Sequence, residues 1–479
     1  MPPGPLLTTA GWSLNGLIIQ GPRFREIPRV SVSDKNLEAT IRKHESSGVP
    51  LVIEGVHGHQ AWPTAMFDVQ WLCDNLKQQI QVRNVHNRRD LSVSFADFLG
   101  HIRSIDRYAS ADETSRWYAK DIECPREWKE WLDTTPVVPR SLCPHGPADI
   151  MQNLPEQARV ETLMCYLGIG DTFTPCHKDL CASFGHNLMC YAEDGASAFW
   201  FMTEGSAAPL MAKYFQSLGQ ELDLESHTMS IEEFAAAPCD VYITEQKAGD
   251  LVLVPPRSCH QVVNHGGLTV KMSWSRMTIR STQIALHHEL PIYRRVCRVE
   301  TYRIKSTIHH TLRRNTGLLE DLGKGKDTGS LCVSYFDHDI FREQLANDVQ
   351  KLLEQFRVVI LEECYPDAEI LDHVIQDFNH NVYDTEGYPG FTCDFCGSDI
   401  FVSFFCCKHC SPTTEDPSSL SDGLHICPGC YAEGRSCGCG GLMEPVQCWP
   451  LQILYGDYNR AVRALKGVGL EIFDEVEDR

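Results

Sequence analysis

Residues 174–185 read TPCHKDLCASFG, and they place His177 and Asp179 on alternate positions just after a proline. Alternate residues of a β-strand point to one face. An imidazole and a carboxylate spaced this way can hold one metal ion together. Taken alone, the pair describes two polar residues at the mouth of an ordinary sheet equally well. A second stretch decides between the readings. Residues 247–267, KAGDLVLVPPRSCHQVVNHGG, read as a turn, a buried strand and a proline stop, with His260 opening the next strand. Two histidines and one carboxylate on a β scaffold make the facial triad of non-haem Fe(II) sites. Three ligands on one face leave the opposite positions open for a co-substrate and dioxygen. His265 is the alternative third ligand; His260 is preferred because it follows the glycine, strand and prolines directly. His186 is read as a structural or loop residue.

The surroundings support a β scaffold. Between residues 160 and 280, short apolar runs such as VETLMCYLGIG, HNLMCYAE, ASAFWFMTE and LTVKMSWSRMT alternate with turn residues. One helical insert, residues 207–222, interrupts them. Many short strands with frequent glycines indicate a sandwich or barrel. The expected organisation is a loosely ordered lead-in (1–25), an α/β part packing on the barrel (26–159) and the β core (160–280). A helical region (281–387), a cysteine-rich module (388–448) and a closing helix with a tail (449–479) follow.

The chain of 479 residues carries 43 Lys and Arg against 64 Asp and Glu, a formal net charge of −21. A field of that sign repels phosphate backbones and suits a basic partner such as a Lys/Arg-rich tail. Residues 292–314, IYRRVCRVETYRIKSTIHHTLRR, are locally basic; a solvated helix face is favoured over a nucleic-acid patch. No stretch approaches the ~20 apolar residues of a membrane span. The first residues lack the pattern of a signal peptide, so an intracellular protein with no membrane partner is expected.

In that setting closely paired cysteines are better read as zinc ligands than as disulfides. Cys393 and Cys396, Cys407 and Cys410, and Cys427 and Cys430 form three CxxC pairs, and Cys437 and Cys439 follow. Eight thiolates suit two tetrahedral Zn²⁺ ions. Their order permits a cross-braced arrangement without fixing the pairing; Cys406, His409 and His425 are possible substitutes. The module reads either as a surface for a peptide or chromatin protein, or as a zinc-stapled buttress. Direct DNA binding is disfavoured, because few basic residues interleave with the cysteines.

With these motifs, and with CHQVVNHGGLTVKMSWS at residues 259–275, residues 45–280 resemble a JmjC domain. The nearest likeness is to histone lysine demethylases that carry a zinc module. The resemblance implies a double-stranded β-helix of the jelly-roll or cupin type with helices outside. It implies Fe(II) held by His177, Asp179 and His260, with 2-oxoglutarate as co-substrate. The chemistry would be oxidation of a C–H bond, which on an N-methyl group ends in amine and formaldehyde. The implied substrate is a protein, foremost a methylated basic histone tail, and the implied location is the nucleus. A side-chain hydroxylase and a non-catalytic chromatin scaffold are the alternatives. Thr174 sits where family members place a hydroxyl that bonds 2-oxoglutarate, and Asn187, opening the next strand, is within reach of the same ligand; both also read as ordinary turn or strand-end polar residues. The family's frequent lysine is missing from the strand GASAFWFMTE, near Ser197. Lys271, in the otherwise apolar strand LTVKMSWS, is expected to supply the cation instead, since a buried strand cation needs a partner.

Overall fold

The computed structural model describes residues 7–324, 338–363, 391–407, 424–440, 443–449, 451–470 and 473–476. It divides into two compact units, residues 1–149 with 161–277, and residues 150–160 with 278–479. No helix among the described residues is long and apolar enough to cross a membrane.

The first unit contains fourteen strands: β1 (Phe24–Glu26), β2 (Arg29–Ser31), β3 (Leu51–Glu54), β4 (Ile80–Asn84), β5 (Asp90–Val93), β6 (Trp117–Glu123), β7 (Met164–Gly168), β8 (Phe173–His177), β9 (Phe184–Ala192), β10 (Ser197–Met202), β11 (Val241–Gln246), β12 (Leu251–Val254), β13 (His260–His265) and β14 (Thr269–Arg276). They form a five-stranded sheet, ordered β1-β11-β10-β13-β8, and a nine-stranded sheet, ordered β2-β3-β12-β9-β14-β7-β6-β4-β5. Met189, Val252 and Val254 of the larger sheet share a buried core with Ala198, Trp200, Met202 and Val262 of the smaller one. Two sheets closed on a shared apolar core make the cupin-type sandwich expected from the alternating short strands.

The outer faces are covered by helices. On the larger sheet, Leu37 and Ile41 of the helix Leu37–Ser47 and Trp128 and Leu132 of the helix Arg126–Thr134 join a second core. On the smaller sheet, Met211 and Phe215 of the helix Ala208–Ser217 pack against Phe199 and Phe201. The turn before β12 requires Gly249, which has φ +80°; a Cβ there would fall 1.7 Å from His57 Nδ1.

Two expectations are revised. The N-terminal part does more than pack on the barrel, because β2 to β6 continue the larger sheet itself. The stretch read as a loose lead-in is ordered from residue 7 onward. Thr9 donates to Asp171 through its backbone nitrogen (2.6 Å) and hydroxyl (2.8 Å), Trp12 packs edge-on against Phe199 and Phe201, and β1 pairs in parallel with β11. Long-range burial organises this segment, and it leaves no periodicity in so short a stretch.

The second unit is built on the helices Ile304–Gly323, His338–Glu363 and Leu451–Lys466, and on a small sheet of β15 (Ser403–Cys406), β16 (His425–Ile426) and β17 (Glu444–Gln447). Most of the basic stretch 292–314 is not a solvated face, although Arg295, Arg313 and Arg314 remain exposed. Ile304, Lys305, Ser306, Thr307, Ile308, His309, Thr311 and Leu312 are all buried. Several of its charges meet partners within the unit: Arg294 meets Glu433, Lys305 Glu363, Arg313 Asp457 at 3.3 Å, and Arg298 the Tyr293 ring at 4.9 Å.

Candidate metal centre and co-substrate pocket

β8 and β13 run antiparallel, and His177 is the register partner of His260. Their rings lie 4.1 Å apart between centroids. Asp179 follows β8 directly, and its Oδ1 lies 3.7 Å from His260 Nε2. One ligand atom from each of the three residues falls within 4.8 Å of the others.

The ligands are oriented by their own backbone. His177 Nδ1 sits 2.8 Å from the Pro175 carbonyl, and His260 Nδ1 sits 3.0 Å from the Ser258 carbonyl. A carbonyl only accepts, so each ring donates through Nδ1 and turns the Nε2 lone pair inward, as in metal-ligating imidazoles. Asp179 Oδ2 is buried and has no hydrogen-bond partner, an expensive state for a carboxylate unless an ion completes it. Gly185 makes room for that oxygen: a Cβ there would come within 2.0 Å of it. The donor set, the inward lone pairs and the unfilled carboxylate oxygen fit a divalent iron.

Lys178, between the ligands and just past the end of β8, turns to Asp223. It is buried, 3.1 Å from the equally buried Asp223, and so ties the ligand segment to the turn Leu222–Leu224. His265, the alternative ligand, lies at the far end of β13 within 3.2 Å of the Tyr108 hydroxyl. His186 lies on β9 rather than in a loop. Its ring stacks on Trp274 at 5.2 Å, and burial pushes its pKa well below the ordinary value, so it lines the pocket as a neutral group.

One pocket of about 70 Å³ contains His177, Asp179 and His260 together with Thr174, Asn187 and Lys271. A water needs roughly 10–15 Å³ on this measure, so the space suits a small polar molecule. Lys271 is buried in β14, opposite Tyr166 and Met189, and its ammonium donates to Asn264 Oδ1. Burial lowers its pKa to about 7. A buried lysine with one neutral partner is waiting for an anion. Thr174 Oγ1 lies 3.4 Å from the Tyr118 hydroxyl, whose pKa burial raises. Asn187 is fixed from behind: Gln246 Nε2 donates to its backbone oxygen at 2.9 Å and to Oδ1 at 3.1 Å.

Tyr118, Tyr166, Asn264, Gln246 and Trp200 were not foreseen. Tyr118 and Tyr166 enter through the β6–β7 pairing, Tyr118 from far upstream and Tyr166 from the strand just before β8, and no local pattern marks them.

In the second unit, Cys393, Cys396, Cys427 and Cys430 bring their sulfurs within 4.8 Å of one another, and Cys407, Cys437 and Cys439 do the same. This is the first-with-third assortment that cross-bracing requires. Cys396 and Cys427 sulfurs are 3.8 Å apart, the edge of a tetrahedron with a Zn–S bond of about 2.3 Å. Cys410 and His409 lie outside the described residues. His425 packs between the rings of Phe391 and Phe404, and Cys406 in the small sheet's core. No disulfide joins the described cysteines.

Comparison with known proteins agrees with this geometry. Residues 164–275 match the family model described as JmjC domain, hydroxylase. The chain therefore carries a JmjC domain over these residues. Over 404 residues, 81% of the chain, it is 29% identical to C-module-binding factor A of Dictyostelium discoideum. The match spans 38% of that relative's length.

Proposed function

We propose that the chain is an Fe(II)- and 2-oxoglutarate-dependent dioxygenase that acts on a protein, foremost by oxidative demethylation of methyl-lysine in a basic histone tail. The observation that carries this reading is the convergence of His177, Asp179 and His260 in the same pocket as the buried Lys271 ammonium. His177, Asp179 and His260 would hold the iron; Lys271, Thr174 and Asn187 would bind 2-oxoglutarate. When bound, the pair supplies oxidation of a substrate C–H bond by dioxygen, with succinate and CO₂ as co-products. The protein's own residues orient and exclude. Pro175 and Ser258 carbonyls fix the imidazole tautomers, Gly185 leaves the carboxylate its place, and Val254, Val262 and Trp200 keep the ligand wall apolar.

The relative's name describes a binding factor, which keeps a non-catalytic JmjC scaffold as the second reading. Lys271 weakens it, since a shell retained for binding alone has no need of a buried cation beside the metal motif. The excess of acidic residues supports a basic tail as partner, and the zinc module supports chromatin-associated proteins. Nuclear location follows from the same reading. The test is release of succinate and formaldehyde from methyl-lysine histone peptides with Fe(II) and 2-oxoglutarate. A gain of one oxygen on the peptide without formaldehyde points to a side-chain hydroxylase. Failure to bind 2-oxoglutarate in calorimetry leaves the scaffold.

A further inference from the structure

Where β6 pairs with β7, Ala119 faces Leu167 and Ile122 faces Cys165, so Lys120 and Asp121 together oppose the single residue Tyr166. This is a β-bulge, and its second residue, Asp121, has φ +55°, in the left-handed region that side chains avoid. Bulges re-aim side chains, and strained backbone gathers at functional sites. Here the aim is specific. Tyr166 lines the metal pocket, and its hydroxyl donates to Asp121 Oδ1 at 2.6 Å. The other oxygen, Oδ2, accepts from Lys120 Nζ at 2.7 Å. Neighbouring strand residues ordinarily point to opposite faces; only the bulge lets Lys120 and Asp121 meet. The Asp121 side chain remains 52% exposed, so the carboxylate is reachable from solvent. Burial opposes its ionisation, but Lys120 and the Tyr166 hydroxyl outweigh that and hold its carboxyl below the ordinary range. A full negative charge thus stands at the pocket's rim, oriented by a residue of the pocket wall and covered by the chain's own lysine.

We infer that Asp121, oriented by Tyr166 across the bulge, receives a cationic side chain of the peptide substrate at the pocket rim, and that Lys120 occupies this position until the substrate displaces it. The inference rests on the reading of the pocket as a peptide-modifying site. The ligand class is a peptide carrying lysine, methyl-lysine or arginine. An exposed pair such as Lys120–Asp121 contributes little stability, so its displacement is easy.

The full-length protein, with Mn(II) in place of iron and with 2-oxoglutarate, is titrated with a short lysine- and arginine-rich peptide and with the same peptide carrying acetylated lysines and citrulline for arginine. Asp121→Asn is expected to weaken the basic peptide about tenfold, the value of a charge-assisted hydrogen bond, and to leave the neutralised peptide unchanged. Lys120→Gln is expected to tighten the basic peptide, because the competing ammonium is gone. Asp121→Gly relieves the strained φ while removing the charge; it is expected to melt no lower than the wild type and still lose the basic peptide. Equal affinities for Asp121→Asn and wild type, or equal losses on both peptides, overturn the inference. Peptide-free binding of 2-oxoglutarate, measured in parallel, reports separately on the pocket reading: its absence in every variant counts against that reading, not against the rim.

Discussion

The two metal-binding regions are built in opposite ways. In the first unit the ligands His177, Asp179 and His260 stand at the edge of a sandwich whose cores are formed by other residues, among them Met189, Trp200 and Val252. The sandwich itself walls the cavity, and an ion would complete only the chemistry. In the second unit the cysteines are themselves members of the hydrophobic cluster, together with Ile400, Phe404, Phe405, Ile426 and Val446. So small a cluster of the described residues orders little chain by apolar burial alone, and a bound metal would supply the rest. Metal removal should therefore silence one region and unfold the other.

The largest expected effect lies in the cysteine region. Structural zinc contributes about 10–16 kcal/mol in short modules. Chelation, or Cys393→Ser together with Cys427→Ser, is expected to lower the zinc content and abolish amide-exchange protection of β15 to β17. Protection that survives a verified loss of zinc would erase the contrast.

Next comes Lys178→Met, which leaves the Asp223 carboxylate buried opposite a thioether. Breaking a buried pair from one side costs about 3–5 kcal/mol, so a large drop in the melting temperature is expected. Much of that loss should be recovered in the double variant with Asp223→Leu, because an apolar pair of similar volume replaces the ions.

Lys271 should behave in the reverse sense. Its folded pKa is depressed to about 7 from an unfolded value of about 10.4. Between those pH values the unfolded chain binds a proton that the folded chain does not, so stability rises with pH across that window. Lys271→Met is expected to stabilise the ligand-free protein by a few kcal/mol near pH 7, with the gain vanishing above about pH 10, and to lose 2-oxoglutarate binding. In the wild type above pH 7, binding of the dianion should take up a proton, readable by calorimetry in buffers of different ionisation enthalpy. Proton-independent binding would remove Lys271 from the co-substrate site.

The smallest effect is expected of Gly185→Ala. Its Cβ would displace Asp179 Oδ2, and a disturbed ligand orientation costs roughly 10–100-fold in metal affinity. An unchanged affinity for Fe(II) would show that Asp179 has room to spare.

How much of this was legible in the sequence follows from which interactions are local. HKD and GDLVLVPP carry their spacing in a few residues; GDLVLVPP fell on the turn and strand expected of it, whereas of HKD only His177 lies on a strand, as the last residue of β8. Lys271 was legible because a lone cation in an apolar strand breaks a pattern. Tyr118 and Tyr166 were not, since aromatic residues in a strand are ordinary, and only the β6–β7 register brings them to the pocket. The bulge at Asp121 left no trace either: the conformation is non-glycine and imposed by the sheet. The basic stretch 292–314 misled, because local charge density does not reveal that Lys305 meets Glu363 or Arg313 meets Asp457. The first residues misled in the same way, for Thr9 finds Asp171 only across the fold.

The central claim is that His177, Asp179 and His260 hold an iron that turns over 2-oxoglutarate. The direct measurement is succinate release by the purified full-length protein with Fe(II), 2-oxoglutarate and dioxygen, compared with His177→Ala at matched melting temperature. Iron-dependent succinate from the wild type, falling to background in His177→Ala with its fold intact, is the expected result. Succinate release that survives the loss of His177, or none from a wild type shown to bind both iron and 2-oxoglutarate, would contradict it.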